Sequence, residues 1–305
     1  MSLRQAYTAA IAGAALWGMI GLFVQPLYSY GFTAWEVVAI RAIASAFLLV
    51  TYLALFSRKM LRIQLRDLPL FIGTGIVSIV FFNWCFFTVI EQSSLSLAVV
   101  LLYTGPLFVT ILSRVFFKEL LTYNKGIALV TTIIGCGFVV GLLPSFNTVL
   151  TPSILLIGIG SGFFYALYSI FAKVSSKRYS SMTITTYSFI CAAAFMIPTS
   201  GLWNKAHLFT QIEVSSYAIG LAFFPTVLAY LLYTRGLAEI ESSRASILST
   251  IEPVVAIAIG LFVFSDQLTV IQWFGVMLVL LSIFLVSRPE HRPTRKKSTP
   301  KPQAV

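Results

Sequence analysis

Ten stretches of about twenty residues are apolar and nearly free of charge: 7–28, 36–56, 68–89, 95–116, 126–143, 153–172, 182–201, 215–234, 246–264 and 270–287. A helix that crosses the hydrocarbon core of a bilayer needs roughly 20 such residues. Within that core each backbone polar group must be bonded inside the protein, which favours helices for runs of this kind. Charged residues make up only 10% of the 305, against about 25% in a typical soluble domain. No packing of this chain could wet the surface of a soluble globule. The expected fold is all-α: a polytopic membrane protein with ten transmembrane helices. A soluble enzyme, a nucleic-acid-binding domain and a disordered chain are excluded. The first run is too long for a signal-peptide core and lacks a convincing small-residue cleavage site, so it reads as an uncleaved first span.

The formal net charge of +11 is a matter of placement. With the N-terminus in the cytoplasm and the spans alternating, nineteen of the 21 basic residues fall on the inner side. Lys205 falls outside and Arg41 lies within the second span. This bias predicts that both termini are cytoplasmic and that the span count is even. The expected location is a bacterial plasma membrane. Residues 288–305, rich in Pro, Lys, Arg, Ser and Thr, read as a disordered basic cytoplasmic tail. Cys85, Cys136 and Cys191 lie far apart inside apolar runs without CxxC spacing, and read as packing residues.

Residues 95–122 and 242–269 align without gaps at an offset of 147. The shared residues include Ser96/Ser243, Ala98/Ala245, Leu101/Leu248, Pro106/Pro253 and Thr122/Thr269, and the acids Glu119 and Asp266 fall in register. The chain therefore divides into a five-span repeat over 1–146, a second over 147–287, and the tail. Five is odd, so the second repeat starts on the opposite face and the halves are inverted. Inverted repeats recur in secondary transporters, because two similar halves can pack in two exchanged ways around a central site.

Several short motifs carry a family resemblance. They are Ala15-Leu16-Trp17-Gly18, Pro106 followed by Glu119, and Glu252-Pro253 through Asp266-Gln267-Leu268-Thr269 to Trp273-Phe274-Gly275. In that order they resemble the EamA-like branch of the drug/metabolite transporter superfamily over residues 7–287. The departures are Asp266, Asn124 and Tyr165, where that family more often has Glu, Trp and Trp. The resemblance implies spans 1–4 and 6–9 around a central cavity. Spans 5 and 10 would then be peripheral and available for a homodimer. It also implies a small-metabolite substrate, often moved outward.

Few polar groups stand inside the apolar runs. Arg41 lies about seven residues into the second span, where an ionisable group costs at least about 2.5–3.5 kcal/mol unless it meets a wet cavity or a partner. It could bind a carboxylate or phosphate, or instead pair with Glu36 nearer the surface. Glu252 precedes Pro253, which removes a backbone donor and opens the preceding turn. That carboxylate could bind an ammonium group, carry a coupled proton or serve helix packing. Pro106 is its counterpart helix break, with Gly105 opposite Glu252, so the acid is not duplicated. Trp17, Trp84, Tyr103, Tyr165, Tyr168, Tyr230 and Tyr233 are aromatic candidates for a cavity wall, and Asn83 is an intramembrane amide in need of a partner. Glu119 and Asp266 read as orienting the turns after their spans, and the Gly158-x-Gly160-x-Gly162 run as a site of close helix packing.

The only histidines are His207 in an outer loop and His291 in the tail, and neither metal-ligand nor paired-carboxylate spacing occurs. No catalytic role, cofactor or metal is expected. The expected function is secondary transport of a small metabolite, an amino acid or similar amphipathic compound, by alternating access with proton coupling. A channel-like facilitator or a non-transporting sensor or scaffold is the alternative. The expected partners are that substrate and the lipid bilayer.

Overall fold

The structure, a computed structural model, describes residues 1–143, 151–263 and 267–287. The repeat boundary between 146 and 147, Asp266 and the basic tail lie outside the described residues. Among the described residues, nine helical stretches are long and apolar enough to cross a membrane: α1 (Leu3–Ser29), α2 (Ala34–Phe56), α3 (Leu65–Gln92), α4 (Leu95–Phe117), α6 (Pro152–Ser175), α7 (Ser181–Thr199), α8 (Ile212–Glu239), α9 (Ser242–Val263) and α10 (Val270–Ser287). The shorter apolar helix α5 (Tyr123–Val139) completes ten. It stops four residues short of the expected end at 143, in a turn with Gly141 at φ +73.

Starts are set by caps. Ser2, Thr33, Ser94, Thr122, Thr151 and Ser180 each accept a hydrogen bond from a backbone N–H in the first turn of the helix that follows. Large exposed side chains such as Phe47, Phe56, Val115, Leu156, Ile219 and Met277 form the lipid-facing surface.

The packing is two-fold. α1 packs on α8 and α9, and α6 packs on α3 and α4. α2 meets α7, α4 meets α9, and α5 meets α10. Exchanging each span for the one five later reproduces this pattern, which is the architecture of two inverted five-helix repeats. Between helices in lipid there is no hydrophobic driving force, so close approach depends on small residues. A side chain at Gly13 would meet the α8 backbone at Ala229 and Tyr233, and one at Gly236 would meet Ala6 and Ala10 of α1. Gly135 of α5 and Gly275 of α10 face each other in the same way, with Thr132 donating to Ser282 at 2.9 Å. Gly158 and Gly162 bring α6 against Leu101 and Thr104 of α4, as the glycine run predicts.

Regular helix fails at matched places. α4 turns at Tyr103–Thr104 and resumes at Gly105, while α9 turns at Ser249–Thr250 and resumes at Ile251. Both breaks lie just before the repeated prolines. α3 widens into π-type turns over Gly73–Val80, and α8 does so over Phe223–Leu228, where Pro225 cannot donate. α1 is interrupted at Gly18–Met19, whereas α6 runs unbroken.

The face on which α1 begins is tied by polar groups. Lys125, 1% exposed, pairs with Glu241 at 2.9 Å and donates to the Leu120 carbonyl. Arg244 pairs with the same carboxylate at 2.8 Å and also donates to Tyr7 and to the Val286 carbonyl. Burial would raise the Glu241 carboxyl, but hydrogen bonds from Lys125 and Arg244 and their charges hold it below the usual carboxylate range. Glu119 does not orient its own turn. Its carboxylate accepts from the Ser242 and Ser243 backbone and the Ser243 hydroxyl, capping α9 from the other half of the chain.

Candidate functional site

The α1 interruption, next to Trp17, and the wide turn of α3, which holds Ser78, border a cavity between the helices. It is lined by Trp17 of α1, Ser78 and Phe82 of α3, Tyr165, Tyr168 and Ser169 of α6, and Tyr230 and Tyr233 of α8. α5 and α10 contribute none of these residues. The space is about 10 Å³, room for about one water in this conformation.

The walls are held ring against ring. Tyr230 stands edge-on to Trp17 at 5.1 Å, to Tyr168 at 5.0 Å and to Phe189 at 5.1 Å. Tyr165 meets Phe82 at 5.8 Å. Three hydroxyls are committed to the frame: Tyr165 to Ser249 at 3.2 Å, Tyr168 to Thr234 at 2.7 Å, and Tyr233 to Ser169 at 2.9 Å. The Tyr230 hydroxyl makes no hydrogen bond to another described residue. The Trp17 ring is 6% exposed, and its buried indole N–H has no acceptor among the described residues. A buried donor without a partner costs about 1–3 kcal/mol.

Charge enters from both halves. Arg41 of α2 is partly buried and donates from Nε to Thr226 Oγ1 at 3.3 Å. Thr226 lies in the wide turn of α8 and donates in turn to the Leu221 carbonyl at 2.7 Å. Glu252 follows the break in α9, and its carboxylate accepts no hydrogen bond from a described residue. The two groups interact electrostatically, and each also interacts with Tyr230. They are not within the 4 Å of a contact ion pair. Tyr103, at the α4 break and 6% exposed, also feels the Glu252 charge. A guanidinium and a carboxylate thus both act on Tyr230 of the aromatic wall without forming a contact ion pair with each other.

Most of the sequence candidates meet here: Trp17, Tyr165, Tyr168, Tyr230 and Tyr233 in the wall, and Arg41, Glu252 and Tyr103 beside it. Pro106 and Pro253 are buried at the two breaks. Two candidates are elsewhere. Trp84 is 52% exposed on the outer surface, and Asn83 satisfies its amide on the Ile79 carbonyl of its own helix at 2.6 Å. The alternative pairing of Arg41 with Glu36 does not form. Glu36 instead pairs with Lys205 at 2.7 Å and caps α2 through Thr33. Thr226, Ser78, Phe82 and Ser169 were not among the candidates. The signal for Thr226 was Pro225, a proline within an apolar run.

Comparison with known proteins agrees with this architecture. The sequence profile of the EamA-like transporter family matches residues 4–141 and again 152–288. An uncharacterized transporter of Archaeoglobus fulgidus is 28% identical over 297 residues, covering 94% of this chain and 97% of its own. The uncharacterized transporter YyaM of Bacillus subtilis is 29% identical over 252 residues, with 80% and 81% covered. The uncharacterized inner membrane transporter YicL of Salmonella typhimurium is 25% identical, with 96% and 99% covered. A solved crystal structure superposes with a TM-score of 0.78 at 13% identity, covering 94% of this chain and 97% of that one.

Proposed function

Because this chain belongs to the EamA-like transporter family, we propose that it is a secondary carrier for a small zwitterionic metabolite, an amino acid or similar amphipathic compound. The observation that carries this reading is the placement of Arg41 and Glu252. They approach the same aromatic cage from different halves, without neutralising each other in a contact pair. A substrate carboxylate fits the guanidinium fork, and an ammonium group fits Glu252 against the faces of Trp17, Tyr103 and Tyr230.

Transport would proceed by alternating access. The cavity admits only about one water here, so a solute enters through a different packing of the halves. The ion-paired face on which α1 begins supports a closed inner side in this conformation, given cytoplasmic termini in a plasma membrane. A free Glu252 carboxylate, able to gain a proton when no ammonium group is bound, would couple outward movement to protons. The exposed apolar face of α10, with Trp273, Phe274 and Met277, would meet lipid or a second copy in a homodimer.

The test is flux in liposomes with a panel of radiolabelled amino acids. Saturation, counterflow and loss of flux in Arg41→Ala and Glu252→Gln are expected. Linear flux with ion conductance would replace the carrier with a channel. Flux indifferent to a pH gradient would remove the proton and leave the carrier.

A further inference from the structure

A second depression, about 490 Å³, opens away from the cavity on the face where α1 begins. The connection between α2 and α3 supplies Arg62, Ile63 and Gln64, the start of α3 supplies Arg66, and the connection between α6 and α7 supplies Arg178 and Tyr179. These connections are built against each other. Asp67, 5% exposed, accepts from Arg178 and from the Tyr179 hydroxyl, both at 2.7 Å. The Tyr179 oxygen also accepts from the Gln64 backbone at 3.0 Å, and Tyr187 donates to the Leu61 carbonyl at 2.6 Å. The cleft is therefore preformed and joins one half of the chain to the other.

Its charge is unbalanced. Asp67 is the only acid among residues 57–67 and 176–180, and it is spent on Arg178 and Tyr179. Arg62 and Arg66 are exposed and have no ion pair or side-chain hydrogen bond among the described residues. The surroundings are those of a bilayer edge. Phe56, 73% exposed, ends α2, and Leu65, 82% exposed, stands beside Arg66. A leucine so exposed next to arginines belongs at the boundary of headgroups and acyl chains.

We propose that this cleft binds the phosphodiester headgroup of an anionic phospholipid, held by Arg62, Arg66 and Arg178, with Leu65 set against its acyl chains. Guanidinium forks match pairs of phosphate oxygens, and basic pockets between spans take such headgroups. A free phosphate offers the same oxygens but leaves Leu65 in water, which favours the lipid. The bound headgroup would bridge the two halves and stabilise this packing over any that separates the connections. The site is independent of what the central cavity carries.

The test titrates the purified full-length protein in detergent with dioleoyl-phosphatidylglycerol or dioleoyl-phosphatidylcholine, counting bound lipid by native mass spectrometry. The wild type is expected to retain one phosphatidylglycerol in preference to phosphatidylcholine. Arg62→Gln/Arg66→Gln should weaken that binding by about 25-fold, at roughly a factor of five per charge removed. Both arginines are exposed and unpaired, so the variant should unfold at the wild-type temperature without lipid. Lys59→Gln, in the same connection but outside the cleft, should bind as wild type. Equal retention of phosphatidylcholine would overturn the proposal, as would unchanged binding by the double variant. An equal loss in Lys59→Gln would indicate diffuse attraction instead, and displacement by submillimolar inorganic phosphate a soluble-anion site.

Discussion

α4 and α9 occupy equivalent places in the two halves and break at equivalent points, yet their breaks serve different ends. At the α4 break Gly105 leaves room that the Tyr165 ring and the Gly162 backbone fill, so the wall there is closed by packing. At the α9 break the same position is Glu252, whose backbone rests on Gly18 of α1 and whose carboxylate accepts no hydrogen bond from a described residue. The starts of the two helices differ as well. α4 is capped by its own Ser94, whereas α9 is capped from the other half by Glu119 and flanked by the Lys125–Glu241–Arg244 cluster. Duplication supplied two similar frames, and divergence placed charge and long-range ties on one of them. The site is thus symmetric in shape and asymmetric in chemistry.

The largest expected effect comes from erasing that asymmetry. Glu252→Gln keeps the volume and removes the charge, and Arg41→Ala removes its counterpart. A charge-assisted hydrogen bond contributes about 1.5–3 kcal/mol, so either change should lower flux by about 10- to 100-fold, read as initial rate in liposomes. Wild-type flux from folded Glu252→Gln would make the acid a packing element like Gly105. Next comes the tie at the start of α9. Glu241→Gln leaves Lys125 buried with half its partners, and about 2–3 kcal/mol of stability should be lost, the pair being partly exposed on the Glu241 side. Thermal unfolding in detergent measures this, and Lys125→Met, which removes the buried charge itself, should lose less.

The pH dependence of the same tie has a defined sign. The Glu241 carboxyl is held below its ordinary range, so its contribution is complete above the ordinary carboxylate value. It is lost as pH falls through the lowered value. The wild-type unfolding temperature should therefore drop more steeply in acid than that of Glu241→Gln. Equal slopes would assign the acid sensitivity to other carboxylates.

Two smaller changes probe the wall. Gly105→Ala sets a methyl group against the Tyr165 ring and should cost about 1–3 kcal/mol by overpacking. An unchanged unfolding temperature would mean that the ring moves aside freely. Trp17→Phe removes the unpartnered N–H together with the pyrrole half of a buried ring, so relief of the orphan donor is set against a new cavity and about 1–2 kcal/mol of stability should be lost. If a solute oxygen fills that gap, its KM should rise about fivefold, the equivalent of about 1 kcal/mol.

Much of this was legible in the sequence because it is local. Apolar run length predicted the spans, and the repeated prolines marked the breaks. The rarity of charge in those runs pointed to Arg41 and Glu252. The glycine run in α6 signalled close packing, which the contacts with Leu101 and Thr104 bear out. Trp84 and Asn83 look no different in sequence from Trp17 and Tyr165, since an almost uniformly apolar helix gives little periodicity to say which side faces inward. Glu119 misled for a related reason. Its neighbour in the chain is a turn, but the hydrogen-bond partners of its carboxylate lie more than a hundred residues away.

The sequence by itself determined that this chain crosses a membrane in ten helices and that it is built twice. It also determined which few polar groups would have to be accounted for inside. Those properties follow from transfer free energies and backbone hydrogen bonding, which each segment obeys on its own. Tertiary structure decided that Arg41 leans on Thr226 while Glu36 goes to Lys205, and that the Trp17 indole N–H is buried with no acceptor among the described residues. It also decided that Arg62, Arg66 and Arg178 share one cleft. Those outcomes depend on which helix faces meet, and in lipid small residues matched across distant segments decide that.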